Sequence, residues 1–226
     1  MMDYVYGLGE AQQVAQDATP LGRAILQYIG AGDSAKAVRY RRRVIAGVID
    51  RVAQCGDARV LAVAAGHLRE VELSQAVQAG KLSEYVALDQ DEASLALIEH
   101  DYAHLGVRAV PGSVRQILAG KVKLGHYDFV YAAGLYDYLS AAVAGALTRR
   151  LFEMTRPGGV LLIPNFLTGV RDSGYMEAFM DWHLIYRSHA DMQEMAAMLP
   201  SGEVADCRIF NDDGDAIAFL QIAKAN

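Results

Sequence analysis

From about residue 54 onward, short apolar runs alternate with stretches whose apolar residues recur at helical spacing. Strand-like runs cover 59–65, 84–89, 107–111, 127–133 and 157–164. Helical patterns lie between them, as with Leu95, Leu97, Ile98 and Tyr102. An unbroken apolar run suits a strand buried on both faces. Such strands, alternating with helices over short connections, predict a parallel sheet covered on both sides. Two further β-rich runs, 203–210 and 215–223, close the chain and are joined by Asn211-Asp212-Asp213-Gly214. Asp-Gly in so short a link predicts a hairpin, so the sheet should end in an antiparallel strand.

The segment ahead of the first strand has a different pattern. Residues 21–31 and 34–53 read as two helices broken at Gly30-Ala31-Gly32-Asp33, with Asp33 or Ser34 as N-cap. Ligands bind at the C-terminal edge of such sheets. Residues 1–53 are therefore expected to form a helical lid, or else a brace, on a main domain of residues 54–226. The predicted architecture is α/β, a Rossmann-like, mostly parallel seven-stranded sheet with a helical cap.

Composition narrows the setting. At 226 residues and 53% hydrophobic content, the chain can bury a sizeable core as one domain with a small appendage. The net charge of −6 gives no general attraction to nucleic acid or anionic membranes, which favours a small-molecule partner. Cys55 and Cys207 suit a reducing compartment. The N-terminus lacks the pattern of a signal peptide, and the longest apolar stretch, 160–167, is too short to span a bilayer. A cytoplasmic protein without stable membrane insertion is expected, with a homodimer left open. The histidines show no close ligand spacing, so no metal is expected.

The first strand ends in the turn Ala64-Ala65-Gly66-His67-Leu68-Arg69-Glu70, and the second ends in Asp89, 23 residues after Gly66. That spacing lets a carboxylate at the second strand tip reach a ribose held over the first turn. A pyrophosphate would require more glycine than this turn has. S-adenosylmethionine requires less: one close backbone approach, an acid for the ribose diol and apolar walls for adenine. An NAD-dependent reductase is the weaker alternative. A further alternative is a regulatory protein that keeps the nucleoside pocket without catalysis.

Further on, an apolar strand runs through Ala133-Gly134 into Leu135-Tyr136-Asp137-Tyr138-Leu139. A helix then leads to Arg156-Pro157-Gly158-Gly159 and another apolar strand. This succession resembles the fourth and fifth motifs of class I S-adenosylmethionine-dependent methyltransferases. A narrower resemblance covers most of residues 35–195. It is carried by Val63–Glu70, Leu88-Asp89-Gln90-Asp91, Ser113-Val114-Arg115-Gln116, Ala133–Leu139, Pro164-Asn165-Phe166 and Asp181-Trp182-His183-Leu184-Ile185-Tyr186-Arg187. These segments are similar to those of the bacterial extracellular-factor methyltransferases, which include enzymes making 3-hydroxy fatty acid methyl esters. Ala65 departs from the cysteine or glycine expected there. The resemblance implies the cofactor S-adenosylmethionine, methyl transfer to oxygen or nitrogen of a small molecule, and a carboxylate on an apolar chain as one acceptor.

The expected cofactor residues are Ala64, Gly66, Arg69, Asp89, Gln90, Ser113, Val114, Ala133 and Gly134. Ser113 reads equally as an N-cap, whose backbone N–H is still open to adenine. The catalytic candidates are Tyr136, Asp137 and Tyr138, as aromatic faces for a sulfonium or as proton acceptors, against a packing role. Tyr40, Asn165, Trp182, Tyr186 and Arg187 are the acceptor-side candidates. A helix would put Trp182 and Tyr186 on one face, as core or as pocket wall. Arg39 or Arg187 could anchor a carboxylate, Arg187 being open to a structural salt bridge instead. The run Arg39–Arg43 reads as a solvated helix face, and His67 has no assigned role.

Overall fold

Alternation along β1 (Ala58–Val63) divides its side chains between two cores. Val60 and Ala62 join one apolar cluster, and Leu61 and Val63 join the other. β2 (Leu82–Asp89), β3 (Val107–Pro111), β4 (Tyr127–Tyr131), β5 (Thr155–Phe166), β6 (Val204–Asn211) and β7 (Ile217–Lys224) complete one sheet, in the order β3-β2-β1-β4-β5-β7-β6. β1 through β5 pair in parallel, and β7 runs antiparallel to both β5 and β6. The computed structural model describes residues 2–8 and 10–226.

Helices precede and separate the strands: α1 (Met2–Tyr6), α2 (Glu10–Asp17), α3 (Pro20–Gly30), α4 (Asp33–Val52), α5 (Gln75–Gln78), α6 (Glu92–Tyr102), α7 (Val114–Leu118), α8 (Ala141–Glu153), α9 (Ser173–Met180) and α10 (His189–Ala197). One core packs α4, α5 and α6 on the sheet through residues such as Val38, Ile45, Val77 and Ile98. The other packs α7, α8 and α10 through Ile117, Leu147, Leu151 and Met192. Local chemistry sets the helix starts. Asp91 caps α6, and capping boxes open α7 at Ser113 and α10 at Ser188.

One element differs in detail from the sequence pattern. The Pro157-Gly158-Gly159 segment lies inside β5, which begins at Thr155, and the pairing with β4 shifts register there. Gly158 has φ 73°, and a Cβ on Gly159 would meet Asp128 O at 3.0 Å, so both glycines are required by this kink. The C-terminal hairpin forms around Asp213-Gly214, as the sequence predicts, with Asp215 N donating to Asp212 O at 3.1 Å. The Asp212 carboxylate accepts N–H groups of Gly214, Ala216 and Ile217, and Asp215 takes the positive φ.

The region ahead of β1 has two parts. α4 contributes Ala37, Val38, Ile45, Val48 and Ile49 to the core, and Asp50 near its end accepts from Ser74 Oγ at 2.6 Å and Ala76 N at 2.9 Å. α3 buries no residue. α1 crosses toward β1, where Asp3 meets Arg69 Nη2 at 2.9 Å and His67 Nδ1 at 3.0 Å.

Deleting residues 1–31 should therefore preserve a cooperative thermal melt, because α4 remains. Deleting residues 1–53 removes the apolar face of α4 from the core and should abolish it. Circular dichroism of the two truncated proteins checks the difference.

Candidate functional site

The strand order reverses between β1 and β4, which opens a crevice at their C-terminal ends. A cavity of about 300 Å³ occupies this position. Its walls come from the turn after β1, the tips of β2 and β4, α1 and α4, and they include Gly66, Asp89, Gly134, Tyr6 and Arg41.

The turn is built on left-handed backbone at alternate positions: Ala64 (φ 52°), Gly66 (φ 54°) and Leu68 (φ 51°). Only Gly66 adopts this conformation without a Cβ penalty. The others are held by neighbours. Ala65 N donates to Leu88 O at 3.1 Å, and the Leu68 side chain is buried in the core. Asp89, itself buried, completes the turn by accepting from Gly66 N at 2.8 Å and Asp91 N at 2.9 Å. Two of its roughly four lone-pair positions are thus filled, leaving acceptor capacity at the cavity.

Several expected cofactor residues are engaged by protein partners or lie elsewhere. Arg69 borders the cavity, but its guanidinium is engaged by Asp3, Asp101 and the Tyr102 hydroxyl, so it ties α1 to α6. Gln90 is exposed and does not line the cavity. Ser113 is an N-cap, and its N–H, which the sequence left open to adenine, donates to Gln116 Oε1 at 2.9 Å within the capping box; Val114 packs against the α7–α8 core. Ala133 and Gly134 line the cavity as expected.

The Tyr136-Asp137-Tyr138 turn is a short 3-10 helix that sends its three side chains to different places. Tyr136 is fully buried, with its hydroxyl 3.1 Å from Thr148 Oγ1 in the α8 core. Burial raises its pKa, and it packs in the core without lining the cavity. Asp137 lines the cavity; its Oδ1 accepts from Phe166 N at 2.8 Å, and its Oδ2 lies 4.0 Å from Arg41 Nη1. Burial pushes its carboxyl up to about 6. Tyr138 is exposed at the rim and accepts from Trp182 Nε1 at 2.7 Å.

The acceptor-side candidates divide similarly. Residues 181–187 form no helix, so Trp182 and Tyr186 do not share a helix face. Trp182 packs edge-on to Phe166 and borders both this cavity and a second one of about 520 Å³. Tyr186 is half-buried beside α8 and α10 and lines neither cavity. Arg187 is buried, donating to Tyr136 O at 2.6 Å, to Asn165 Oδ1 at 2.5 Å and to Leu139 O. Asn165 in turn donates to the Phe166 and Ile185 carbonyls. Both residues staple the chain after β5 to the turn after β4 and leave no anchor for a ligand. Tyr40 packs against Phe219 of β7, and Arg39 donates to Val5 O and Gly30 O.

Sequence reasoning missed Arg41 and Glu70, both at the cavity. Arg41 is buried, not solvated. A signal for it exists, since Ala37, Arg41, Ile45 and Val48 form one apolar stripe of α4 interrupted by a single cation. The second cavity lies between α3, the start of α4 and α9. Tyr28, Ile29, Tyr175, Met180 and Trp182 give it apolar and aromatic walls, and Arg171 pairs with Asp33 at 2.7 Å beside it. Among the described residues no helix is long and apolar enough to cross a membrane. Also among these residues, no group of three or more His, Cys, Asp or Glu side chains could hold a metal ion.

No protein-family model and no curated protein matches the sequence. Solved structures match the fold. CurJ carbon methyltransferase superposes with a TM-score of 0.68 at 10% identity, over 100% of this chain and 67% of that one. The magnesium protoporphyrin IX methyltransferase of Synechocystis, with bound SAH, gives 0.59 at 13% identity, over 86% and 88%. The fold is that of S-adenosylmethionine-dependent methyltransferases. A possible exported protein from Bordetella parapertussis gives a TM-score of 0.72 at 16% identity, over 96% of this chain and 79% of that one. Likeness at these identities carries the methyltransferase fold, and the resemblance to the extracellular-factor enzymes rests on sequence motifs alone.

Ala64→Gly should relieve the left-handed strain in this turn of the methyltransferase fold. Stability should rise by about 1 kcal/mol, since a Cβ at positive φ costs roughly that much. Denaturant unfolding of the variant checks the sign.

Proposed function

We propose that this chain transfers a methyl group from S-adenosylmethionine to an oxygen or nitrogen of a small, largely apolar molecule. The observation that carries the reading is Asp89, a buried carboxylate hydrogen-bonded to Gly66 N at the mouth of the β1/β4 crevice. Its remaining lone pairs can accept both hydroxyls of a ribose. The other residues present fit the same group, because Ala133 and Gly134 permit close approach and Asp137 and Arg41 bring charge to the cavity. S-adenosylmethionine, when bound, supplies a methyl group on a good leaving group. What remains for the protein is alignment and exclusion of water.

The second cavity supports the acceptor class. It meets the first at Trp182, and its aromatic and aliphatic walls suit an apolar body. Asp137 supplies the proton acceptor that a hydroxyl or amine needs, since a carboxyl held near pH 6 is ionised at neutral pH and still basic enough to take a proton. A carboxylate acceptor would need no such base. Arg39 and Arg187 are engaged by backbone carbonyls and are not free to anchor an acceptor carboxylate.

Two outcomes test this reading. Asp89→Asn should weaken S-adenosylhomocysteine binding by roughly ten- to a hundred-fold, the loss expected for a hydrogen bond to a charged acceptor. Calorimetric titration of the folded variant measures it. For phenol or amine acceptors, single-turnover rates should rise with pH through about 6 and level off above, because only ionised Asp137 accepts the proton. Asp137→Asn should abolish that limb and slow the step by roughly a hundred-fold or more. An unchanged pH profile in the variant would remove Asp137 from the mechanism.

A further inference from the structure

α3 is specified by its own sequence and then left without a core. Thr19 Oγ1 accepts from Gly22 N at 3.1 Å and Pro20 stands at the start of the helix, so local chemistry directs the chain into α3. A helix of 11 residues is marginal in water unless its apolar face is covered. Each helix from α4 to α10 buries at least one residue, whereas α3 buries none. Leu21, Ile25 and Tyr28 stand at i, i+4 and i+7 on one face and are 71%, 50% and 81% exposed. Arg23, Leu26 and Gln27 face α2 instead, where Arg23 Nη1 donates to Gln16 O at 3.1 Å and Ala18 O at 2.7 Å. The exposed stripe continues past its end. Tyr28 and Tyr175 both line the second cavity, and Tyr175 stacks on Phe179, which is 80% exposed.

Size and charge say what covers this face. Leu21, Ile25, Tyr28 and Phe179 together present roughly 600 Å² of surface, at the upper end of what a monomer leaves open. Covered across a two-fold axis, that becomes roughly 1,200 Å², enough for a specific interface. Arg23 is the one charged residue of α3, and its guanidinium is turned away and engaged by carbonyls. The stripe therefore lacks the flanking cations with which a surface helix holds anionic lipid, in a chain of net charge −6. It likewise offers no charge to steer a different protein, while it meets its own copy without opposing like charges. The spacing is also symmetric about its middle. Turned antiparallel, Ile25 meets Ile25 of the partner subunit, and Leu21 meets Tyr28 of the partner subunit.

We propose that α3 is the contact surface for a second copy of this chain, the two helices packing antiparallel across a two-fold axis near Ile25. Because Tyr28 lines the second cavity, the pairing also shields that cavity from water.

Sedimentation velocity of the full chain at concentrations up to about 100 µM should show a dimer, with a dissociation constant in or below the low micromolar range. Ile25→Glu and Ile25→Lys each set like charges against each other on the axis, and each should raise that constant by about a hundred-fold or more. Ile25 is half exposed within one chain, so circular dichroism should show both variants folded. If they are not, Leu21→Glu, at a more exposed position, should raise the constant by about ten-fold or more. An equimolar mixture of Ile25→Glu and Ile25→Lys should recover the dimer, since opposite charges then face each other. A full chain that stays monomeric, a dimer that the substitutions leave intact, or variants that dissociate and do not recover on mixing would overturn the pairing. So would a monomeric chain that floats with phosphatidylcholine vesicles and no longer does so as Ile25→Glu, which would give the face to lipid.

Discussion

The hydrogen bond from Gly66 N to the Asp89 carboxylate holds the site together. It joins the tips of two adjacent strands at the edge of the crevice and fixes the turn after β1 over the cavity. The same carboxylate accepts from Asp91 N, and Asp91 caps α6. One acid thus aligns the turn, the second strand and the start of the next helix. Its remaining acceptor capacity is aimed by that network and not by side-chain rotamer alone, which is how a site gains preorganisation from its support.

Around that point the site is assembled by stapling loops to one another. Arg187 and Asn165 bind the segment after β5 to the turn after β4, and this places Asp137 at the cavity wall while turning Tyr136 into the core. Arg69 draws Asp3 across from α1. Residues with charged or amide side chains thus fall into two groups. Most are saturated with protein partners and shape the site, and a few, notably Asp89, Asp137, Arg41 and Glu70, face its interior.

The sheet and Asp89 were legible in the sequence because both depend on local patterns. Unbroken apolar runs mark strands covered on both faces, and an acid at a strand tip is visible without knowing its neighbours. The order of side chains within short loops was not legible. In the 3-10 turn at Tyr136–Tyr138 successive residues point in different directions, so a Tyr-Asp-Tyr motif does not say which member meets the cavity. A helix would have put Trp182 and Tyr186 on one face, but Ile185 N donates to Asp137 O and Arg187 N to Phe166 O, which holds the chain there out of a helix. Arg41 was hidden in a run of arginines whose other members are bound by α1, α3 and the β1 turn or stack on Tyr40. Only the helical phase distinguishes it. Ser113 was read correctly as a cap, but the cap uses the N–H that a ligand would have needed.

Leu68 belongs to two systems at once. Its backbone is one of the left-handed positions of the turn beneath the cavity, and its side chain is fully buried among the residues that pack α4 and α6 on the sheet. A glycine there would leave the turn free to breathe independently of the interior. With leucine, the turn cannot open without withdrawing an apolar side chain from the core, so the rigidity of the binding edge is linked to cohesion of the whole helical layer. Heat or denaturant that loosens this layer should therefore loosen the turn over the cavity well before the sheet itself comes apart.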